Sequence, residues 1–437
     1  MLKKIIGTTG TRVLNALISL VILLLITNKI GSEGLGVIAL IMVDITIIQL
    51  FVDLAAGSTL IYFSSRAGLG QLILPAYLWT GTVILFFFLL SVFIWTVFPV
   101  VYATVIPEGY EIHILMLALL NALMNTHYNL LLGREKIKVY NIIFTVQITV
   151  LLCIFLYGIF IIHDETPVSY IRALYIAYGT GTILGFYVLL NKAGRLFISG
   201  WKNVLRRVIN YGIISFLANI LNIGNKRLSF YVLRYFTGLS ALGVYNAGVQ
   251  LTEGLRIIGQ SISLVQFSTI SNTKDPDYAK HLTIQLMKFT VMLTLGAVLV
   301  LIAIPEHAYS LLFSKDFTDV KPIIMALSPG VIALAANNIF SHYFSGMGNP
   351  KINMRANLVG LVFTLLLVFT LVPFFGYMGA AISASVSYIS TVIYQYIVFK
   401  KATKTAFSEW MPGKKDFSDF VILTKGALRK SEANTSS

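Results

Sequence analysis

The chain is a succession of apolar segments, each about the 20 residues that a helix needs to cross the hydrocarbon core of a bilayer. They fall at residues 8–27, 35–54, 72–97, 112–132, 140–162 and 170–190, and after a basic stretch at 191–210 they resume at 211–235, 241–270, 282–304, 323–346, 352–372 and 378–399. This pattern predicts an all-α polytopic membrane protein of about twelve transmembrane helices. With 57% hydrophobic and only 12% charged residues, a soluble globule of this sequence could not cover itself with polar surface. A net charge of +15 raises the question of nucleic acid, but a basic groove needs solvated surface and the polar segments are too short to build one. The basic start, Lys3-Lys4, precedes an apolar run at 13–26 that meets Lys29 with no small-residue cleavage site, so it reads as a retained first helix. The single cysteine, Cys153, excludes a disulfide framework or metal–thiolate cluster within one chain; inside an apolar run it reads as a buried structural thiol.

Positive charge sets the orientation, because Lys and Arg in short loops stay on the cytoplasmic side. Alternate loops on one side carry Lys3, Lys4, Arg66, Arg134, Lys136, Lys138, Lys192, Arg195, Lys202, Arg206, Arg207, Lys274, Lys280, Lys351 and Arg355, followed by the tail from Lys400. The opposite side has fewer cations and carries Glu33, Glu108, Glu111, Asp164, Glu165, Glu306, Asp316 and Asp319. Both termini are therefore expected in the cytoplasm, and the protein in the bacterial inner membrane.

The two sets of spans echo one another. Leu35-Gly36-Val37 opens the second span and Leu242-Gly243-Val244 the eighth, an offset of 207 residues. At the same offset Thr8, Arg12, Asn15 and Ser19 fall on Ser215, Asn219, Asn222 and Lys226, and Thr46, Gln49 and Asp53 fall on Glu253, Arg256 and Gln260, polar on polar throughout. Even-numbered halves make these parallel repeats about an axis along the membrane normal. The expected organisation is a six-helix bundle at 1–190, a basic cytoplasmic linker at 191–210, a second six-helix bundle at 211–400 and a basic cytoplasmic tail at 401–437. The bundles would be related by pseudo-two-fold symmetry around a central cavity.

Residues spaced i, i+4, i+7 share a helix face, so these polar positions form stripes on the first, second, seventh and eighth spans; Asn246 and Gln250 extend the eighth. An ionisable side chain at mid-bilayer costs on the order of 2.5–3.5 kcal/mol on insertion scales, so the stripes are expected to line a hydrated cavity rather than face lipid. Blander readings compete at several positions. Arg12 could snorkel to the headgroups, Glu253 and Arg256 could neutralise each other, and Asp44, on the opposite face from Asp53, reads as a packing partner. Asn121, Asn125, His127, Asn337, Asn338 and His342 read as interhelical hydrogen-bond partners, and Ser328-Pro329-Gly330 as a kink. No GxxxxGK[ST] loop, HExxH helix, CxxC pair or GxGxxG turn occurs, no metal site is indicated, and the exterior loops are short, which favours transport over catalysis.

The chain resembles the polysaccharide repeat-unit flippases (Wzx-type, O-antigen translocases) of the multidrug/oligosaccharidyl-lipid/polysaccharide exporter superfamily. The resemblance is carried by Arg12-Val13-Leu14-Asn15, Ile30-Gly31-Ser32-Glu33-Gly34-Leu35-Gly36, Leu242-Gly243-Val244-Tyr245-Asn246-Ala247 and Leu311-Leu312-Phe313 before Asp316-Phe317. Gly346-Met347-Gly348-Asn349-Pro350-Lys351 and Phe375-Gly376-Tyr377-Met378-Gly379-Ala380-Ala381 complete it. It implies two six-helix bundles with alternating access, and as cargo an oligosaccharide on undecaprenyl diphosphate, moved to the periplasmic leaflet for lipopolysaccharide O-antigen or another surface polysaccharide. On this reading Arg12, Lys226, Arg227 and Arg256 hold the diphosphate, while Asn15, Gln49, Asn219, Asn222, Asn246, Gln250 and Gln260 face the sugars. Asp53 and Glu253 are candidates for coupling a proton or sodium gradient, and no other cofactor is expected. Partners would be the lipid-linked cargo, membrane lipids and other polysaccharide-assembly membrane proteins, with no nucleic acid. A multidrug/cation antiporter of the same superfamily, and a membrane-embedded glycan-assembly enzyme, are the alternatives. Relatives carry an acidic residue followed by Arg where this chain has Asn225-Lys226, so an ion pair there is not carried over.

Overall fold

In a computed structural model, which describes residues 2–64, 67–193, 201–272 and 275–410, the chain is built from helices connected by short turns. In chain order these are α1 (Leu2–Lys29), α2 (Gly31–Ala56), α3 (Ser58–Ser64), α4 (Leu69–Val97), α5 (Pro99–Val105), α6 (Glu111–Gly133), α7 (Ile137–Phe160) and α8 (Pro167–Ala193). They continue as α9 (Trp201–Thr237), α10 (Leu239–Gly254), α11 (Arg256–Asn272), α12 (Pro276–Ala303), α13 (Glu306–Phe313), α14 (Val320–Gly346) and α15 (Lys351–Thr403). The apolar segments read from the sequence all fall on helices. Among the described residues seven helical segments, one of them α2 with α3, are long and apolar enough to cross a membrane, and α9, bent by 49° between residues 213 and 215, makes an eighth. α10 and α11, at 16 and 17 residues, are each shorter than a full span because the eighth apolar segment is broken between them.

Several segments add detail to the simple reading. The eighth span is broken: α10 stops at Gly254 and α11 starts at Arg256, with one-turn bonds from Leu255 N–H to Thr252 O and from Ile258 N–H to Leu255 O bridging the gap. Glu253 and Arg256 therefore do not sit at i and i+3 of one uninterrupted helix. The loops that follow α4 and α12 contain helices of their own, α5 and α13. Pro329 lies inside α14, which continues through it; the Ser328 hydroxyl donates to Ile324 O within the preceding turn. Cys153 is exposed on α7, a correction to the buried thiol expected. In a membrane protein, apolar neighbours identify a lipid-facing surface as readily as a core.

Contacts divide the chain into two units, Met1–Ala247 with Glu306–Val320, and Gly248–Pro305 with Lys321–Ser437. The first unit holds α9 because that helix runs antiparallel along α2. Tyr231 meets Asp44, Phe51 and Phe216 pack edge to face at 5.2 Å, and Gly212 lies against Leu54 O near the other end. At the opposite end of α2 the chain crosses the start of α10 closely. A Cβ on Gly36 would lie 2.1 Å from Leu239 O, and one on Gly243 would lie 1.8 Å from Ser32 O. These two contacts interchange under the 207-residue offset, which takes Gly36 to Gly243 and Ser32 to Leu239. Self-complementary exchange of this kind is the signature of a two-fold relation between two like segments.

The segment 306–320 docks onto this crossing. Asn28 Nδ2 donates to Leu312 O at 2.5 Å, the Ser314 hydroxyl to Thr27 O at 3.2 Å, and Ser32 to Asp316 Oδ2 at 3.4 Å, while Ser32 and Ser240 share a hydroxyl bond of 2.7 Å. Tyr309, Phe313 and Phe317 are buried beneath it.

In the second unit α15 is two antiparallel spans joined at Gly376, whose φ of +52° and ψ of −132° break the helix beyond Pro373. The register is set by Ser387 to Gly360 O, Thr364 to Ser387 and Gln395 to Asn353. The last described turn closes this unit: Trp410 packs on Phe340, Tyr396 and Phe399, and Glu409 pairs with Lys280 at 3.1 Å. The Ala406 N–H and the Lys280 ammonium hold the Glu409 carboxyl below the usual carboxylate range. The basic tail expected at 401–437 lies, from residue 411 on, outside the described residues.

The crossing has a measurable consequence. Gly36→Ala and Gly243→Ala each drive a methyl group into backbone that cannot yield like a side chain, so each should destabilise the protein by about 1–3 kcal/mol. Gly296→Ala, in a helix with no atom within 4 Å of the new methyl, should be neutral or mildly stabilising. Thermal unfolding in detergent, followed by size-exclusion chromatography, checks the contrast; equal melting of all three variants would refute it.

Candidate functional site

The first unit assembles part of the polar row read from the sequence and adds to it. Gln49 and Asp53, one turn apart on α2, are joined by a bond from Gln49 Nε2 to Asp53 Oδ1 of 2.7 Å. Asn121 Nδ2 on α6 donates to Gln49 Oε1 at 3.0 Å, and Asn125 Nδ2 donates to Asn121 Oδ1 at 3.1 Å. The result is a directed chain, Asn125 to Asn121 to Gln49 to Asp53, in which each amide donates toward a terminal carboxylate. Successive bonds of one sense polarise each other, and in a medium poor in water they hold the amides in a single orientation. All four side chains are only partly buried, so the row is embedded between two apolar helices without being sealed from a ligand. Asn121 and Asn125 were read from sequence as interhelical partners; the structure shows what they support.

Other members of the expected set are placed differently. Asn15 is buried on α1 and its Oδ1 has no partner among the described residues, whereas Ser19 and Thr46 turn their hydroxyls onto carbonyls of their own helices. The Arg12 side chain lies outside those described. On α9, Asn219 is exposed, Asn222, Lys226 and Arg227 are half-buried, and the Arg227 guanidinium lies over the Phe230 ring at 5.1 Å. Asn246 on α10 is buried.

In the second unit, Gln250 is exposed, while Glu253, Arg256 and Gln260 are half-buried. With the Gln260 amide turned to present its oxygen, Arg256 donates to it twice, at 2.8 and 3.1 Å. Two guanidinium N–H groups thus converge on one neutral oxygen, and the same donors are of the kind that bind a carboxylate or phosphate. A second polar network joins Asn337, read from sequence as a hydrogen-bond partner, to three residues that sequence reading missed: Gln395 Nε2 donates to Ser341 Oγ at 3.0 Å and to Asn353 Oδ1 at 3.2 Å, Asn353 Nδ2 to Ser341 O at 2.9 Å, and Ser341 Oγ to Asn337 Oδ1 at 3.1 Å. Isolated Ser, Asn and Gln in apolar spans carried the only signal. Among the described residues no three His, Cys, Asp or Glu side chains are grouped to hold a metal ion.

This geometry can bind neutral, hydroxyl-rich groups and anions. Amides and carboxylates supply the paired donors and acceptors that sugars need, and guanidinium or ammonium groups supply charge-assisted bonds to phosphate.

A family profile described as polysaccharide biosynthesis protein matches residues 1–274, and one described as lipid II flippase MurJ matches residues 153–424. Among curated relatives, the uncharacterized membrane protein MJ1068 of Methanocaldococcus jannaschii is 25% identical over 210 residues, 47% of this chain and 41% of that protein. The probable low-salt glycan biosynthesis flippase Agl15 of Haloferax volcanii is 19% identical, over 45% of this chain and 42% of its own. The capsular polysaccharide biosynthesis protein CapF of Staphylococcus aureus is 25% identical, over 47% and 51%. The chain thus spans about half the length of the curated relatives it matches. In fold it is similar to an inward-facing multidrug resistance MATE family transporter of the MOP superfamily (TM-score 0.71, 13% identity, 89% of this chain and 94% of that one). It is likewise similar to the inward closed lipid II flippase MurJ (TM-score 0.67, 15% identity, 95% and 91%). With the first profile spanning well over half of the sequence on an all-helical exporter fold, the chain belongs to the polysaccharide biosynthesis protein family of the multidrug/oligosaccharidyl-lipid/polysaccharide exporter superfamily.

Proposed function

We propose that this chain is a flippase that carries oligosaccharide repeat units linked to undecaprenyl diphosphate from the cytoplasmic to the periplasmic leaflet of the bacterial inner membrane. The product would serve lipopolysaccharide O-antigen or another surface polysaccharide. The observation that carries this reading is the Asn125–Asn121–Gln49–Asp53 row, a sugar-compatible surface embedded in apolar helices of a chain from a polysaccharide biosynthesis family. The names of Agl15 and CapF point the same way. Arg12, Lys226, Arg227 and Arg256 would hold the diphosphate, with Gln260 as the acceptor that Arg256 gives up when the anion arrives. The prenyl chain would stay in lipid. Translocation breaks no bond, so the chain acts as a transporter rather than an enzyme. Alternating access between duplicated bundles at 1–190 and 211–400, with both termini cytoplasmic, supplies the motion.

Three outcomes test the reading. Deleting the gene should abolish the surface glycan while lipid-linked repeat units accumulate on the cytoplasmic face. A charge-assisted hydrogen bond contributes about 1.5–3 kcal/mol, so Lys226→Ala and Arg256→Ala should each slow flipping in proteoliposomes by roughly ten- to a hundredfold. Gln49→Ala should slow it severalfold. Full surface glycan in a combined Arg12→Ala, Lys226→Ala, Arg256→Ala variant would overturn the cationic site.

Asp53 and Glu253 are the proposed coupling groups for a proton or sodium gradient. Collapsing the relevant gradient in proteoliposomes should stop net flipping, and Asp53→Asn or Glu253→Gln should remove that dependence. Flipping indifferent to both gradients would sink the coupling.

A further inference from the structure

The other carboxylate of α2, Asp44, has no part in that reading, and its surroundings are those of a binding site. Asp44 is 7% exposed; its Oδ1 accepts the Tyr231 hydroxyl at 2.5 Å and its Oδ2 has no hydrogen-bond partner among the described residues. It lines a cavity of about 130 Å³ within the first unit, bounded by α2, α4, α6, α9 and the end of α5. Most of the wall is hydrocarbon or aromatic, with Ile48, Phe87, Leu90 and Ile114 prominent. The polar groups on it are Asp44, Tyr231, Ser91 and Glu111, and among the described lining residues there is no Lys, Arg or His. Glu111, whose Oε1 also accepts the Gly109 N–H at 3.2 Å, opens α6 and so marks the end of the cavity nearest the α5–α6 turn.

We propose that this pocket binds a small lipophilic ammonium ion, its head on Asp44 Oδ2 and its hydrocarbon body against the α4 and α6 walls. The choice of ligand follows from the wall. A buried carboxylate oxygen without a partner is costly, and a cation carrying N–H donors removes that cost by a charge-assisted bond. A hard inorganic cation needs about six oxygens or its own water, and a surface this apolar supplies few of the first and does not favour the second. An anion or a sugar meets two carboxylates and no donor beyond two hydroxyls. The volume exceeds what one water fills and suits an ammonium head with a short apolar body. The site lies wholly in the first unit and does not depend on the flippase reading.

The test uses the full-length protein in detergent, with phenethylammonium chloride as probe and 2-phenylethanol as its uncharged counterpart. Phenethylammonium should raise the unfolding temperature in a saturable, concentration-dependent way, and the alcohol at equal concentration should not. Asp44→Asn should weaken binding at least tenfold by titration calorimetry. Should Asp44→Asn fail to fold, Glu111→Gln, at the mouth of the cavity, should still weaken binding severalfold, while Tyr231→Phe should retain it. Equal stabilisation by amine and alcohol, or binding unchanged in both acidic-residue variants, would overturn the proposal. So would sodium chloride displacing the amine beyond what potassium chloride achieves at equal ionic strength, since the site would then select an inorganic cation.

Discussion

The contact on which the first unit depends is the crossing of α2 with the start of α10, where two glycines let backbone touch backbone. Gly36 sits on Leu239 O and Gly243 on Ser32 O at separations that no side chain allows. Small residues serve this purpose in bilayers because lipid gives helices no hydrophobic reason to associate, leaving close van der Waals approach and hydrogen bonds as the driving terms. Once the backbones meet, Ser32 reaches Ser240 and Asp316, and the 306–320 segment seats Phe313 and Phe317 beside them. The motifs that carry the family resemblance, at 30–36, 242–247 and 311–317, are therefore largely one structural knot. They identify the fold, and the cargo chemistry has to be sought elsewhere on α2.

That helix has two working faces because of its period. Asp44 and Asp53 are nine residues apart, which turns them to opposite sides at 100° per residue. The Gln49–Asp53 face meets α6 and extends its amide row; the Asp44 face meets Tyr231 of α9. Asn129 adds a bond to Ala56 O near the end of α2, so α6 is tied to α2 at two levels and the row is held on a fixed frame.

Much of this was legible in the sequence, for reasons that can be named. Span positions follow from hydrocarbon thickness, so segments such as 112–132 and 282–304 matched helices closely. The repeat was legible because Gly36 and Gly243 answer to the same steric demand. Gln49 and Asp53 were legible because a helix places i and i+4 together. What escaped reading was whatever depends on a partner distant in sequence. Nothing near Asn121 says that it meets Gln49, and nothing near Asp316 says that it meets Ser32. The break at Leu255 was missed because Gly254 alone is a weak breaker inside an apolar run. The exposure of Cys153 was missed because apolar sequence does not distinguish a neighbour helix from lipid.

The two carboxylates of α2 show how partner chemistry, more than burial, decides what a charged group in a membrane can do. Asp53 ends a row of amides whose N–H groups point toward it, an arrangement that favours negative charge on the carboxylate and leaves the row able to exchange bonds with an incoming hydroxyl. Asp44 receives one phenolic O–H on one oxygen and nothing on the other, within walls of Ile, Leu and Phe. The first arrangement is satisfied and adaptable; the second is incomplete until a donor arrives. A half-satisfied carboxylate in an apolar cavity works against the stability of the helices around it. A hydrocarbon side chain at position 44 would leave the Tyr231 hydroxyl without its acceptor, so the carboxylate both ties α2 to α9 through one oxygen and keeps the other for a further donor.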